Sequence, residues 1–199
     1  KKLDYANIPA KELERYARNV QPGAWVVDSE KPLSTLLGSC VAVCLFDPLM
    51  KIGGINHFML PEMGRSKNSD VDSLLSGSYA MEALLNALLI KGAKKLRLQA
   101  KAFGGGTIID TDGGSLSIGM RNANFAKEWL VREGIPLRSS DFLGPWSRKI
   151  VFLPFNGEAF CKRLVTNMAK AEVIAREERA YSETLKQKPV STENKIELF

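Results

Sequence analysis

The sequence predicts an α+β protein, a layered α/β sandwich in which two main helices pack on a mixed, mostly antiparallel sheet. Three observations lead there. Short apolar or alternating runs, which read as strands, outnumber the helical stretches. Two periodic helices are embedded among those strands. Asn156-Gly157 separates two apolar runs, 150–155 and 159–164, which is a strong hairpin signal.

The elements follow in order. Residues 1–22 are polar and mixed, with a short helical stretch over 10–18, and read as an N-terminal surface arm. AWVVD, at 24–28, is a first strand. Residues 40–46 form a second, opened by Gly38-Ser39 and closed by Asp47-Pro48. Residues 52–60 form a third, starting at Gly53-Gly54. A polar loop comes next, with Asp70 or Asp72 as the cap of the helix that follows. Tyr79, Ala80, Ala83, Leu84, Ala87 and Leu88 recur at helical spacing, and Gly92 ends the run. Leu96, Leu98, Ala100 and Ala102 alternate with Arg97, Gln99 and Lys101, a half-buried strand. Gly104-Gly105-Gly106 interrupts it, and Asp112-Gly113-Gly114 marks another turn. A second helix covers 121–133 and stops at Gly134, and 136–142 reads as an edge strand. The domain is placed at 23–168. From 169 onward Ala, Glu, Lys and Arg dominate, which predicts a solvated helix fraying into a flexible tail, 169–199.

A chain of 199 residues, 45% hydrophobic and 25% charged, can bury a sizeable core as one domain. The net charge of +6 is dispersed, with no basic run, so nucleic acid is not the expected partner. Three cysteines at unlike spacings do not make a disulfide framework. No apolar stretch approaches the ~18–20 residues of a membrane span. The opening KKLDYANIP has no apolar signal-peptide region. The expectation is a cytoplasmic protein with reduced thiols and no direct membrane insertion.

The chemistry concentrates in LSTLLGSCVAVCLFDPLMKIGGINHFMLPE, residues 33–62. Cys40 opens one strand, and His57, the single histidine, lies in the next. A thiol becomes a useful nucleophile when a nearby base holds its proton or stabilises the thiolate. Cys40 directly follows Gly38-Ser39, so the amides of Ser39 and Cys40 can face an incoming oxygen as an oxyanion hole. Ser34 and Thr35 lie upstream and can orient the imidazole. Residues 34 and 40 share strand parity, so Ser34 faces the pair if the chain stays extended through Gly38. Cys44 and Cys161 read as apolar filler. Zinc does not fit. Cys40 and Cys44 would stand about 13 Å apart at ~3.3 Å per strand residue, and too few other ligands exist. The Gly104–Gly106 stretch lacks the Gly-Lys-Ser/Thr ending of a phosphate loop and reads as backbone passing close to the active centre or another strand.

LLGSCVAVCLFDP and GGINHFMLP, then KAFGGG at 101–106 and IGMRNANFAKEWLVREGIPL at 118–137, together resemble the CheD family of chemoreceptor glutamine deamidases. The resemblance covers roughly 24–165. It implies a layered α/β sandwich and a catalytic dyad of Cys40 and His57. A third group, a Thr in the family, falls on Ser34 here, with Thr35 one position later. It also implies a cofactor-free route. The Cys40 thiolate attacks a glutamine side-chain amide, ammonia leaves, and water hydrolyses the thioester to glutamate. A glutamyl methyl ester can enter by the same path. The implied partners are a chemoreceptor cytoplasmic domain and a CheC-type phosphatase. The rival reading is a non-catalytic CheD-like adaptor that binds those same partners.

Overall fold

The computed structural model describes residues 3–61, 69–107, 117–165 and 168–187. The elements are α1 (Ala10–Leu13), β1 (Arg18–Asn19), β2 (Trp25–Asp28), β3 (Leu33–Leu37), β4 (Val41–Asp47), β5 (Ile52–Asn56), α2 (Ser69–Ile90), β6 (Gln99–Gly104), α3 (Ile118–Arg132), β7 (Leu137–Phe142), β8 (Ser147–Leu153), β9 (Glu158–Leu164) and α4 (Met168–Gln187). They make two sheets, ordered β1-β3-β8-β9 and β2-β5-β4-β6-β7. Only β1 beside β3 and β7 beside β6 run parallel among the described strands, and the other pairings are antiparallel. The predicted α+β sandwich is present, with β7 at a sheet edge and a hairpin of β8 and β9 around Asn156-Gly157.

The central strand β4 shows how the layers are held. It is buried on both faces, as its unbroken apolar run requires. Val41, Val43 and Leu45 share a core with Met81, Leu84 and Leu88 of α2 and Ala126 and Trp129 of α3. Cys40, Ala42, Cys44 and Phe46 share the other core with Leu33, Leu37, Ile150 and Phe152 of the facing sheet. Each fully buried Leu, Ile, Val or Phe contributes about 1.5–3 kcal/mol against its exposed state. The order is therefore helices, five-stranded sheet, four-stranded sheet. On the outer face of the four-stranded sheet, Leu13 of the N-terminal segment packs with Val151 and Leu153.

Several elements differ from the reading of the sequence. Residues 1–22 do more than line the surface. Leu13 is fully buried and Arg18–Asn19 adds a parallel edge strand to β3. Strand β3 itself is hard to see in the sequence, because LSTLL mixes hydroxyls into an apolar run and shows no period-2 pattern. Leu96 is exposed in a short 3-10 turn, so β6 starts only at Gln99. Asp70 and Asp72 fall inside α2, and their side chains lie outside the described residues, as do the Asp112-Gly113-Gly114 turn and residues 188–199. Helix α4 is not simply solvated. Ile174, Ala175, Glu178 and Ser182 are buried and Tyr181 packs on the inter-sheet core. Their spacing is helical, but the stripe contains a Glu and a Ser, so hydrophobicity alone does not reveal it.

The turn after β4 depends on one buried carboxylate. Asp47 accepts from the backbone N–H of Leu49 (3.0 Å), Met50 (3.1 Å) and Lys94 (3.0 Å), and from Arg97 Nη2 (2.7 Å). Burial would push its carboxyl up, but Arg97 and the three amides outweigh it and hold the group at about 2. Asp47→Ala is expected to cost about 3 kcal/mol, since it leaves the guanidinium and three amides without their acceptor. Denaturant titration measures it. The folded pKa lies below the unfolded value of ~3.9. The stabilisation is therefore full above pH ~4 and disappears as pH falls towards about 2. The loss on mutation should shrink in that window.

Candidate active site

The chain leaves the first sheet at Leu37 and enters the second at Val41. Across Gly38, Ser39 and Cys40 the backbone sorts its polar groups into two directions. All three carbonyls are tied down on one side. Gly38 O accepts from Gly106 N (2.9 Å), Cys40 O from Gly105 N (2.9 Å) and Ser39 O from Asn122 Nδ2 (2.9 Å). Asn122 sits buried on α3, and its Oδ1 accepts from Leu60 N (2.8 Å), which also ties down the segment after His57. The three N–H groups point the other way and converge. Such a run of backbone amides forms an anion-binding concavity.

A carboxylate fills that concavity. Glu178 of α4 accepts through Oε1 from Gly38 N and Cys40 N, both at 3.0 Å. Through Oε2 it accepts from Ser39 N (3.1 Å) and Ser39 Oγ (2.6 Å). The sequence points to the amides of Ser39 and Cys40, and the structure adds Gly38. The sequence holds no hint of Glu178, whose place in a charged helix looks like that of any solvated residue.

His57 follows β5. The bridge between Val41 and Phe58 sets the register here, with N–H···O bonds of 2.9 Å in both directions. Antiparallel pairing then puts His57 opposite Ala42, with Cys40 one diagonal step away on the same face. Such diagonal neighbours have Cα atoms roughly 7–8 Å apart. Thr35 Oγ1 lies 2.7 Å from His57 Nδ1 and donates to Val20 O at 2.8 Å. A hydroxyl has one proton, and the carbonyl can only accept, so Thr35 takes the Nδ1 proton as acceptor. The imidazole is thereby fixed with its proton on Nδ1 and a bare lone pair on Nε2. That atom is buried and has no hydrogen-bond partner among the described residues. Burial pushes His57 down to about 4, against an opposing pull from the Val20 carbonyl. The ring is neutral and able to accept a proton.

The structure thus brings together Cys40, His57, Ser39 and Thr35, and leaves Ser34 aside. Ser34 stands opposite Val151, whose side belongs to the outer core with Leu13, whereas Thr35 stands opposite Ile150 of the inter-sheet core. Strand parity favours Ser34, and the structure corrects that. Parity does not carry through Gly38–Cys40, because the chain changes sheets there. The surroundings of the thiol favour its protonated form. In this conformation burial, then the charge and hydrogen bond of Glu178, push the Cys40 thiol well above its ordinary value. Nε2 of His57 has no hydrogen-bond partner among the described residues, so the thiol is not bonded to it.

The other two cysteines have separate surroundings. Cys44 is buried within β4, and burial raises it too. Cys161 on β9 is half-buried beside Asp141, and burial followed by that carboxylate raises it to about 11.

Fold and site together define an α–β–β sandwich with a thiol, a tautomer-fixed imidazole and an anion-holding loop where the chain crosses between its sheets. The family model described as CheD chemotactic sensory transduction matches residues 59–163, starting just after His57. A protein of Dechloromonas aromatica (strain RCB) named "Probable chemoreceptor glutamine deamidase CheD 2" is 71% identical over 197 residues, 99% of this chain and 100% of its own. One of the same name from Burkholderia thailandensis is 45% identical over 194 residues, 95% of this chain and 96% of its own. A "Probable chemoreceptor glutamine deamidase CheD" from Bordetella avium is 42% identical over 170 residues, 84% of this chain and 74% of its own. This chain belongs to the CheD family. None of its described helices is long and apolar enough to cross a membrane.

Proposed function

We propose that this chain is a protein-glutamine deamidase that converts glutamines of chemoreceptor cytoplasmic domains to glutamate, working in the cytoplasm with Cys40 as nucleophile. The observation that carries the reading is the amide nest at Gly38, Ser39 and Cys40, which holds a glutamate side chain against the thiol. A loop that binds a side-chain carboxylate there is equally suited to the oxygen of a side-chain amide and to the oxyanion it becomes under attack. The names of the relatives supply the substrate class.

In this mechanism the Nε2 lone pair of His57 takes the Cys40 proton as the sulfur attacks the amide carbon. The tetrahedral oxyanion is held by the three amides. His57 returns the proton to the departing nitrogen and ammonia leaves. His57 then activates water, which attacks the thioester and releases glutamate and the thiol. Thr35 keeps the imidazole in the tautomer this requires. A glutamyl methyl ester can follow the same path with methanol leaving. A CheC-type phosphatase is the partner proposed alongside the receptor.

The test is to incubate the protein with receptor cytoplasmic fragments and map Gln→Glu conversion by peptide mass. Conversion at discrete glutamines supports the enzyme. Binding without conversion, including by the variant with Glu178 removed, supports an adaptor. Thr35→Val is expected to lower kcat roughly 10–100-fold by freeing the imidazole, as for other groups that orient a functional histidine. Thr35→Ser should recover much of the loss, and Ser34→Ala should change little. The opposite ranking of Ser34 and Thr35 would refute this assignment.

A further inference from the structure

We propose that α4 is a built-in product mimic: Glu178 occupies the seat of the substrate's glutamyl side chain, and a substrate helix must displace α4 before turnover. The proposal rests on the deamidase reading above and deepens it. A glutamate is what deamidation leaves behind, and here a glutamate side chain lies in the nest beside the thiol. It is presented from a helix, and the helix seats as a unit. Ala175 and Ser182, small side chains about one turn to either side of Glu178, are buried with it, so α4 approaches closely. Tyr181 closes the flank. Its ring fills the space that a side chain at position 23 would need.

Glu178 is not placed as a helper of the reaction. Its oxygens are committed to three amides and a hydroxyl, the groups the oxyanion would need. Its charge beside Cys40 also disfavours the thiolate. Both effects oppose turnover, and both vanish when α4 leaves. The same seat is then open to a helix carrying a glutamine, with the amide oxygen in the nest and the amide carbon by the sulfur.

The full-length protein carries the test. In Glu178→Ala the melting temperature is checked first. Iodoacetamide alkylation of Cys40 near neutral pH, followed by peptide mass, should then be at least ~10-fold faster than in wild type, since an anion no longer faces the thiol. KM for a receptor fragment should fall several-fold at unchanged kcat, the mark of a removed competitor. Glu178→Gln gives a second arm that keeps the nest filled. Cys40 should attack the side-chain carbon of the introduced glutamine, break its C–N bond and release ammonia. Water should then cleave the thioester, so that the peptide acquires the mass of the wild-type peptide with Glu178. The Cys40→Ala/Glu178→Gln double variant should retain its introduced amide.

Unchanged Cys40 labelling in Glu178→Ala, or a fall in kcat, overturns the proposal, as does an introduced glutamine that survives beside Cys40 in Glu178→Gln. If labelling accelerates and Glu178→Gln converts itself to the wild-type sequence while no receptor fragment is turned over, the product mimic stands and the receptor assignment falls.

Discussion

Cys40→Ala is expected to lower deamidation of receptor fragments by roughly 10⁴-fold or more while the protein stays folded, because loss of a nucleophile removes the covalent route altogether. Cys40 is the one cysteine beside the amide nest, with its own N–H part of it. Alanine fits a position already walled by the inter-sheet core, so the structural cost is about 1 kcal/mol for the missing sulfur. Cys44→Ala and Cys161→Ala should keep most of the activity. Cys44 points into the core within β4, and Cys161 lies on β9 against Asp141. Ammonia release with the three variants, each checked by circular dichroism, decides it. Full activity in Cys40→Ala would rule out thiol catalysis.

Gly104→Ala is expected to be the most damaging change outside the reacting groups. Gly104 has φ of 119°, in the range L side chains avoid, and a Cβ there would run into the Cys40 carbonyl oxygen. That carbonyl is the one Gly105 N holds in place. The change should cost about 2–4 kcal/mol from strain and overpacking. It should also slow turnover about 100-fold, since it moves the Cys40 thiol and its N–H together. Gly134→Ala is the control. Its φ is 68°, yet nothing lies within 4 Å of the added Cβ. It should cost about 1 kcal/mol and leave turnover alone. Urea melts and kcat for the pair measure both effects. Equal kinetics in the two variants would show that the Gly104 contact does not position Cys40.

Much of the fold is legible because one-dimensional patterns determine it. The alternation in 98–102, the helical recurrence ending at Gly92 and the Asn156-Gly157 turn each carry a local physical signature that the three-dimensional structure repeats. The thiol and imidazole are legible for the same reason: a Gly-Ser turn before a cysteine, and a histidine on the neighbouring strand. What is not legible depends on where chains meet. Whether Ser34 or Thr35 faces His57 is decided by the change of sheet at Gly38–Cys40, which strand parity does not encode. Asn122 and Glu178 come from helices 62 and 138 or more positions away from the backbone groups they bind. A charged helix gives no sign in composition that one of its carboxylates enters a nest. The Gly104–Gly106 stretch reads as close-approach backbone, and it is the strand end whose amides hold the Cys40 loop.

The central claim is that Cys40 sulfur forms a bond to the side-chain carbon of a substrate glutamine. Intact mass of an acid-quenched reaction, with Glu178→Ala enzyme and a receptor fragment, tests it most directly. The expected species has the summed mass of the two proteins less one ammonia. It should be cleaved by hydroxylamine, as a thioester is, and mapped by digestion to Cys40. Steady conversion of glutamine to glutamate with no such adduct on Cys40, or at an undiminished rate in Cys40→Ala, would contradict the account.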